Sequence, residues 1–167
     1  MIQTSFQLPC GVILKNRIAK AATTERLSYK DGRPNDLLCN LYRTWSNTNA
    51  GLLITGNVVL DKSHMESAGN VIVNDEVILP SMRQWAEAGQ SNGGQIWVQI
   101  SHSGRQTSRF INWRPMAPSA VQLKKMGLFG KPKMMSEKDI YQVIDAFAKA
   151  AVICKKAGFN GIRLLCG

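Results

Sequence analysis

Three kinds of sequence feature are missing from this 167-residue chain, and each absence argues against a class of protein. No apolar run reaches the length of a membrane-spanning helix. The first residues, MIQTSFQLPCGVILKNR, lack the basic-then-apolar order of a signal peptide. No Gly-x-Gly-x-x-Gly motif follows any strand-like segment, which argues against a Rossmann domain. We therefore expect a globular protein that does not associate with a membrane.

Cysteines are few and widely spaced. The four of them, Cys10, Cys39, Cys154 and Cys166, form no Cys-x-x-Cys pair, so we predict no zinc cluster and no metal site. Cys39 and Cys154 fall inside predicted helices, where a buried free thiol is expected. Free thiols are typical of a reducing compartment, so we expect an intracellular, cytoplasmic protein.

Acidic residues are in the minority. The chain has 21 Lys and Arg against 11 Asp and Glu, which gives a formal net charge of +10. Such an excess raises nucleic acid or an anionic ligand as a partner. The basic residues are nevertheless scattered, with no block of five or six and no aromatic-interleaved basic stripe. We expect a solvated basic surface and no nucleic-acid partner.

Apolar patterning predicts four strands after a hairpin. The strands are expected at Arg17–Ala22, Leu52–Val59, Gln95–His102 and Gly161–Leu165. The second is a near-continuous apolar run, which is typical of a strand buried on both faces in a parallel sheet. Before them, Phe6–Leu14 places two short apolar runs around a Pro-Cys-Gly turn and predicts a β-hairpin.

Helices are predicted between these strands. Asn35 or Asp36 is expected to cap the first, which ends near the Asn49-Ala50-Gly51 segment. Pro80 opens the second, because a proline in the first helical turn removes no helical hydrogen bond.

The third helix begins at Ser136, with Asp139 at the capping-box position, and is expected to stop at Gly158. Its predicted buried stripe is Ile140, Val143, Ile144, Phe147, Ala151 and Cys154.

Alternating strands and helices require a parallel sheet with right-handed crossovers. A complete (β/α)8 barrel takes about 250 residues, and this chain supplies four strands with three helices between them. We therefore predict an α/β fold, a partial (β/α)8 TIM barrel that comprises the first four strands with an N-terminal β-hairpin. On this prediction residues 1–167 are the N-terminal portion of a larger domain, and the half barrel exposes sheet edges.

The segment Gln95–Gln106, QIWVQISHSGRQ, is the first candidate for a functional site. It is a buried strand with polar residues at its carboxyl end, where parallel α/β proteins bind ligands. The long polar stretch that follows, Ser103–Met135, is expected to be a functional loop or a lid.

The chain resembles the N-terminal half of the Old Yellow Enzyme-like NADH:flavin oxidoreductase / NADH oxidase family. The matching segments cover essentially the whole chain in the right order. They are LKNRIAKAATTE (Leu14–Glu25), DGRP (Asp31–Pro34), GLLITGNVVLD (Gly51–Asp61), WAEAG (Trp85–Gly89), QISHSGRQ (Gln99–Gln106), APSA (Ala117–Ala120) and AGFNGIRLL (Ala157–Leu165).

The resemblance implies an FMN-binding TIM barrel that takes a hydride from NADH or NADPH and passes it to a small-molecule acceptor such as an activated alkene. It implies that Ala21, Ala22, Thr23 and Thr24 lie along the flavin, with Thr24 hydrogen-bonded to the isoalloxazine. Asn57 matches a position that touches the flavin. Gln99 matches the glutamine at its pyrimidine edge, where an amide can donate and accept at once.

Each of these residues also has a plainer interpretation. Thr24 can be an ordinary strand-end residue, and Gln99 a polar group satisfied by a neighbouring backbone. His102 is expected to be a packed, hydrogen-bonded histidine without a catalytic role. Arg105 suits either a salt bridge or an anionic ligand.

The chain departs from the family at the end of its fourth strand. The resemblance predicts an acceptor-binding histidine where this chain has Leu165, and leucine can neither donate nor accept a hydrogen bond. We therefore assign no catalytic residue and expect a truncated oxidoreductase of impaired activity. The alternative is a non-catalytic fragment that associates with itself or with a partner through its exposed sheet edges.

Overall fold

The computed structural model describes residues 1–166 and shows an α/β fold. The strands are β1 (Phe6–Gln7), β2 (Ile13–Leu14), β3 (Ala19–Lys20), β4 (Leu52–Val59), β5 (Val71–Ile72), β6 (Gln95–His102), β7 (Met116–Ala117), β8 (Lys133–Met134) and β9 (Gly161–Cys166). The helices are α1 (Asp36–Ser46), α2 (Leu79–Gln90) and α3 (Glu137–Lys156). Short 3-10 turns occur at Lys62–His64, Glu76–Ile78 and Gly104–Gln106.

The main sheet is parallel and has the order β3-β4-β6-β9, with the short β5 paired to β4. Successive barrel strands are therefore neighbours, as in a (β/α)8 barrel. The antiparallel pair of β1 and β2 is the predicted hairpin. This arrangement confirms the partial barrel predicted from the sequence, although β3 is shorter than expected because only Ala19 and Lys20 pair with β4.

The core lies between the sheet and the helices. Strand residues such as Leu53, Val98 and Ile100 are buried against Tyr42 and Trp85 from the first two helices. Tyr42 and Trp85 meet edge to face at a centroid distance of 5.2 Å, an arrangement that aromatic quadrupoles favour.

The predicted helix starts are confirmed. The Asn35 side chain accepts a hydrogen bond from the Leu38 N–H at 3.0 Å. Ser136 and Asp139 form the reciprocal capping box at the start of α3. Gly158 follows that helix with a φ of +95°, a left-handed value that glycine adopts without strain.

The predicted stripe of α3 is wrong at Ile140 and Ile144, whereas Val143 and Phe147 are partly buried against the core. Ile140 and Ile144 are 40% and 54% exposed, whereas Ile153 and Cys154 are fully buried. The apolar periodicity identifies the side of the helix that carries large residues. It does not say how far along its length the helix meets the rest of the core, and α3 packs on α2 and β6 mainly through its carboxyl-terminal half.

No helix within residues 1–166 combines the length and the apolar character needed to cross a membrane.

Candidate cofactor site

The candidate site begins with an irregularity in β4. Ile54 pairs with Trp97 and Asn57 pairs with Gln99, so three steps along β4 match two along β6. A bulge of this kind bends the strand and re-aims the side chains beyond it. It brings Asn57 level with Gln99 in the carboxyl-terminal halves of neighbouring strands, and Gln99 in turn pairs with Arg163 on β9.

Gln99 is 5% exposed and held by two hydrogen bonds. Its backbone N–H donates to the Thr55 hydroxyl at 2.9 Å, and its side-chain amide nitrogen donates to the side-chain oxygen Oδ1 of Asn57 at 2.7 Å. The interpretation that a neighbouring backbone satisfies this side chain is therefore wrong, because the partner is another side-chain amide. Among the described residues, nothing donates to the Gln99 amide oxygen, so the group keeps an acceptor and one N–H for a ligand.

Asn57 joins Gln99 to a carboxylate. Its amide nitrogen donates to Glu66, and its backbone carbonyl accepts from the Asn70 side chain at 3.2 Å. Gln99 therefore donates to Asn57, and Asn57 donates to Glu66. Because the Glu66 carboxylate accepts from the Asn57 nitrogen, the Asn57 oxygen faces Gln99, and the orientation of both amide groups is fixed. Glu66 was not predicted from the sequence, because it lies in an irregular loop and shares no periodic pattern with Asn57.

The segment Ala21–Thr24 follows β3 as irregular chain. Thr24 is half-buried and lines a small cavity together with Asn57, whereas Ala21 and Thr23 are exposed and Ala22 is half-buried. Gly56 makes this approach possible. A Cβ there would lie 2.5 Å from the Thr23 carbonyl oxygen and 2.8 Å from the Thr24 Cα, closer than atoms can pack.

Glu25, which directly follows this segment, ties it to α1 and β4. Its carboxylate accepts from the Tyr42 hydroxyl at 2.5 Å and from the Gly56 N–H at 3.2 Å, and the Lys20 ammonium lies 3.7 Å away. Burial, together with the Glu25 charge, raises the pKa of Tyr42, so the hydroxyl remains a donor. Burial also lowers the pKa of Lys20, against the opposing effect of Glu25. The sequence contained Glu25 within a matched segment but offered no local signal for its partners.

A second polar cluster lies at the end of β6. The Asp61 carboxylate lies 3.0 Å from His64 Nδ1, and the Met116 N–H donates to His64 Nε2 at 3.2 Å. The His102 ring packs on the His64 ring at a centroid distance of 4.2 Å. His102 is packed as predicted, but its Nε2 has no hydrogen-bond partner among the described residues.

Burial, and next the neighbouring His64, lowers the pKa of His102 to about 4, so its ring is neutral near pH 7. Burial of Asp61 acts in the opposite direction, but hydrogen bonds from His64 and Ser63 hold the pKa of that carboxyl well below its usual range.

Asp61, His64 and His102 place possible metal-ligating atoms within 4.8 Å of one another. The hydrogen bonds of His64 compete with such a role. A metal on Nδ1 would leave Nε2 protonated opposite the Met116 N–H, and a metal on Nε2 would displace that N–H. We therefore interpret the cluster as structural, because its hydrogen bonds connect the Lys62–His64 turn to β7.

Leu165 lies on β9 in register with Ser101, and Arg163 lies in register with Gln99. Leu165 is 37% exposed. The fourth strand end therefore presents an apolar side chain where the other strand ends present amides and a hydroxyl. Arg105 is exposed and forms no salt bridge within residues 1–166.

Half a (β/α)8 barrel with convergent amide and hydroxyl groups at the carboxyl ends of its strands defines a barrel protein of the cofactor-binding class. Comparison with known proteins then specifies the family. The chain belongs to the NADH:flavin oxidoreductase / NADH oxidase family, whose profile matches residues 7–165. The family pairs FMN with NAD(P)H as reductant.

Curated relatives are similar over most of this chain. The NADH-dependent flavin oxidoreductase iliE of Neonectria sp. (strain DH2) is 35% identical over an alignment of 180 positions, and the alignment covers 96% of this chain and 23% of the relative. The NADH-dependent flavin oxidoreductase nadA of Aspergillus parasiticus is 35% identical over an alignment of 164 positions, and the alignment covers 89% of this chain and 37% of the relative. The chain thus spans less than half the length of these relatives.

Solved structures agree on the fold. The Old Yellow Enzyme homologue from Zymomonas mobilis superposes with a TM-score of 0.86 at 21% identity, over 98% of this chain and 47% of that one. The described residues therefore form the first half of a barrel of that type.

Proposed function

We propose that this chain carries the pyrimidine-binding part of an FMN site and that its chemistry is hydride transfer from NAD(P)H, through the flavin, to a small acceptor such as an activated alkene. The observation that carries the proposal is the hydrogen-bonded pair of amides formed by the buried Gln99 and the half-buried Asn57, in the carboxyl-terminal halves of neighbouring strands. Thr24 lies beside Asn57 at the end of the preceding strand.

The donor set fits the group. FMN supplies a ring that accepts and returns a hydride, and the protein supplies orientation and hydrogen bonds. The pyrimidine edge of a flavin alternates carbonyl oxygens with an N–H, which complements the remaining N–H and carbonyl oxygen of Gln99. Glu66 acts one step further away, because its carboxylate orients Asn57 and thereby the Gln99 amide.

We expect the 167-residue chain alone to hold FMN weakly and to oxidise NADH negligibly. Leu165 provides no hydrogen bond to polarise an acceptor. Four strand ends also enclose less of a ligand than a closed barrel does, and enclosure is what excludes water from a reacting flavin. The cytoplasmic setting expected from the free cysteines stays a prediction.

The test is FMN binding to the purified chain by equilibrium dialysis and flavin fluorescence. Gln99→Met preserves the length of the side chain and removes its polar atoms. We expect it to weaken FMN binding by about tenfold, the effect of one buried hydrogen bond to a ligand. Gln142→Met makes the same change on the exposed face of α3 and should leave binding unchanged. Equal binding by the two variants would contradict the proposed site.

Turnover is measured separately as loss of NADH absorbance with saturating FMN and a range of activated alkenes. We expect no rate above that of free FMN. Stoichiometric FMN retention together with turnover would contradict the expected impairment, while leaving the family chemistry in place.

Association is a second candidate function, and β9 is the observation that favours it. One edge of β9 pairs with β6, and within residues 1–166 its other edge has no partner. Ile162 and Leu164 are 37% and 60% exposed and lie in register with the buried Val98 and Ile100. They continue the apolar layer that the helices cover on β6. An unpaired apolar edge is a template for another strand.

The occupant that this edge fits is a polypeptide with the remaining strands of a barrel, since matched barrels extend beyond the region that this chain covers. Light scattering coupled to size-exclusion chromatography tests for association. A concentration-independent monomer with cooperative unfolding would argue against it. If the purified chain forms only homo-oligomers, the occupant of the β9 edge is a second copy of this chain and not a polypeptide with the remaining strands.

A further inference from the structure

A cleft of about 710 Å³ lies beside the candidate flavin site. It lies between the segment after β3, the loop after β4 and the long loop after β6. Its wall includes Arg26, Glu66, Phe110, Lys125, Leu128 and Phe129. Glu66 connects the cleft to the flavin-site residues through its hydrogen bond with Asn57.

Arg26 is fixed in an unusual backbone conformation. Its φ is +58°, in the left-handed region that non-glycine residues seldom adopt. The loop of Gly69 packs directly on it, since a Cβ at Gly69 would lie 2.6 Å from the Arg26 carbonyl oxygen. The Ser28 N–H donates to the Gly69 carbonyl and holds the two segments together. Strain that packing maintains at a cleft is typical of a functional position.

The guanidinium of Arg26 has no carboxylate partner within residues 1–166. Glu66 is the carboxylate of the cleft, and it is engaged by Asn57. Lys125 adds a second cation to the wall and is also outside any salt bridge among these residues. The cleft therefore offers a planar cation that suits a carboxylate.

Most of the remaining wall is apolar, and its other polar residues are Ser67, Gln106 and Ser108. Phe110 is 82% exposed and Leu128 is 41% exposed, and both border the cleft beside the half-buried Phe129. Large apolar side chains grouped at a cleft mouth are typical of a ligand-binding surface. An apolar wall next to an unpaired guanidinium matches a ligand with a flat apolar body and one anionic group.

The geometry points to this cleft as the binding site for an apolar carboxylate, with the carboxylate on Arg26 and the apolar body against Phe110 and Leu128. The inference rests on the proposed function, because it names the substrate class of the same site: the acceptor that receives the hydride is an aromatic or long-chain unsaturated carboxylate.

The probe is cinnamate, with cinnamyl alcohol as an uncharged match of similar shape. Binding of each to the full chain without flavin is followed by NMR chemical shifts. Arg26→Asn removes the cation while keeping a residue that tolerates the left-handed conformation. We expect it to weaken cinnamate binding by about tenfold and leave cinnamyl alcohol unchanged. Phe110→Ser, at an exposed position that does not threaten folding, should weaken both.

Arg83→Gln removes an exposed cation on α2, remote from the cleft wall, and should change neither ligand. Equal cinnamate binding by Arg26→Asn and Arg83→Gln would overturn the proposal. FMN binding is measured on the same samples. Cinnamate binding without FMN binding would contradict the flavin site alone, and the converse would contradict the cleft alone.

Discussion

Thr55 shows at the scale of one residue how the bulge in β4 is held. Its hydroxyl accepts from the Gln99 N–H at 2.9 Å and donates to the Gly56 carbonyl at 2.8 Å, and the side chain is fully buried. The Thr55 hydroxyl thus accepts from the Gln99 N–H at the point where the bulge interrupts the backbone hydrogen bonds between β4 and β6. The position of Gln99, the principal residue of the proposed flavin site, depends on this contact.

Thr55→Val keeps the shape of the side chain and removes both hydrogen bonds. The Gln99 N–H and the Gly56 carbonyl then lack these partners in a buried setting, so we expect the free energy of unfolding to fall by about 1–3 kcal/mol. Urea denaturation measures the change. Thr44→Val alters an exposed threonine whose hydroxyl donates to the Asn40 carbonyl, where water can substitute, and should cost less than about 0.5 kcal/mol. Equal costs would mean that the Thr55 contact is not important.

His102 makes stability depend on pH. Its folded pKa of about 4 lies below the ordinary 6.5. Between these values the unfolded chain binds a proton that the folded chain does not, so the free energy of unfolding falls as the pH drops from 6.5 to 4. The pKa difference corresponds to a loss on the order of 3 kcal/mol.

His102→Gln should flatten the stability profile in that window, which urea denaturation at pH 4 and pH 6.5 measures. Asp61 contributes below its unfolded value of 3.8, since its pKa is held down in the folded state, and should still destabilise the variant at lower pH. An unchanged slope between the two pH values would show that His102 does not titrate as described.

At the scale of one element, α3 separates what periodicity predicts from what packing decides. The start, the capping box and the glycine stop are local features, and each was predicted correctly. The buried stripe was correct for Cys154 and wrong for Ile140 and Ile144. Burial depends on which neighbour lies opposite, and the helix sequence does not contain that information.

Ile144→Ala and Ile153→Ala make the same chemical change on α3. Ile153 is 1% exposed, so its truncation leaves a cavity and should cost about 2–5 kcal/mol. Ile144 is 54% exposed, so its truncation should cost less than about 1 kcal/mol. Thermal or urea unfolding of the pair checks the difference. A large cost at Ile144 would mean that another surface covers it in solution.

At the scale of the whole molecule, the unpaired edge of β9 is the main departure from a closed barrel. Leu164 is 60% exposed on that strand, and Val77 is 77% exposed in the turn before α2. Leu164→Lys places a charge on the edge, and we expect it to reduce association and aggregation in light scattering. Val77→Lys adds the same charge elsewhere and should have no such effect. Equal effects would indicate that net charge, and not the edge, controls association.

The sequence by itself determined the order of strands and helices, the parallel sheet, the helix caps and the choice of Gln95–Gln106 as a candidate site segment, within which the family resemblance selected Gln99. Those features depend on periodicity, capping and the direction of neighbouring strands, all of which operate over a few residues or follow from chain order. Only the tertiary structure decided that Asn57 meets Glu66, that Glu25 receives both Tyr42 and Gly56, and that Arg26 borders an apolar cleft. These contacts join irregular loops to distant segments, and irregular loops have no repeating pattern from which a partner can be predicted.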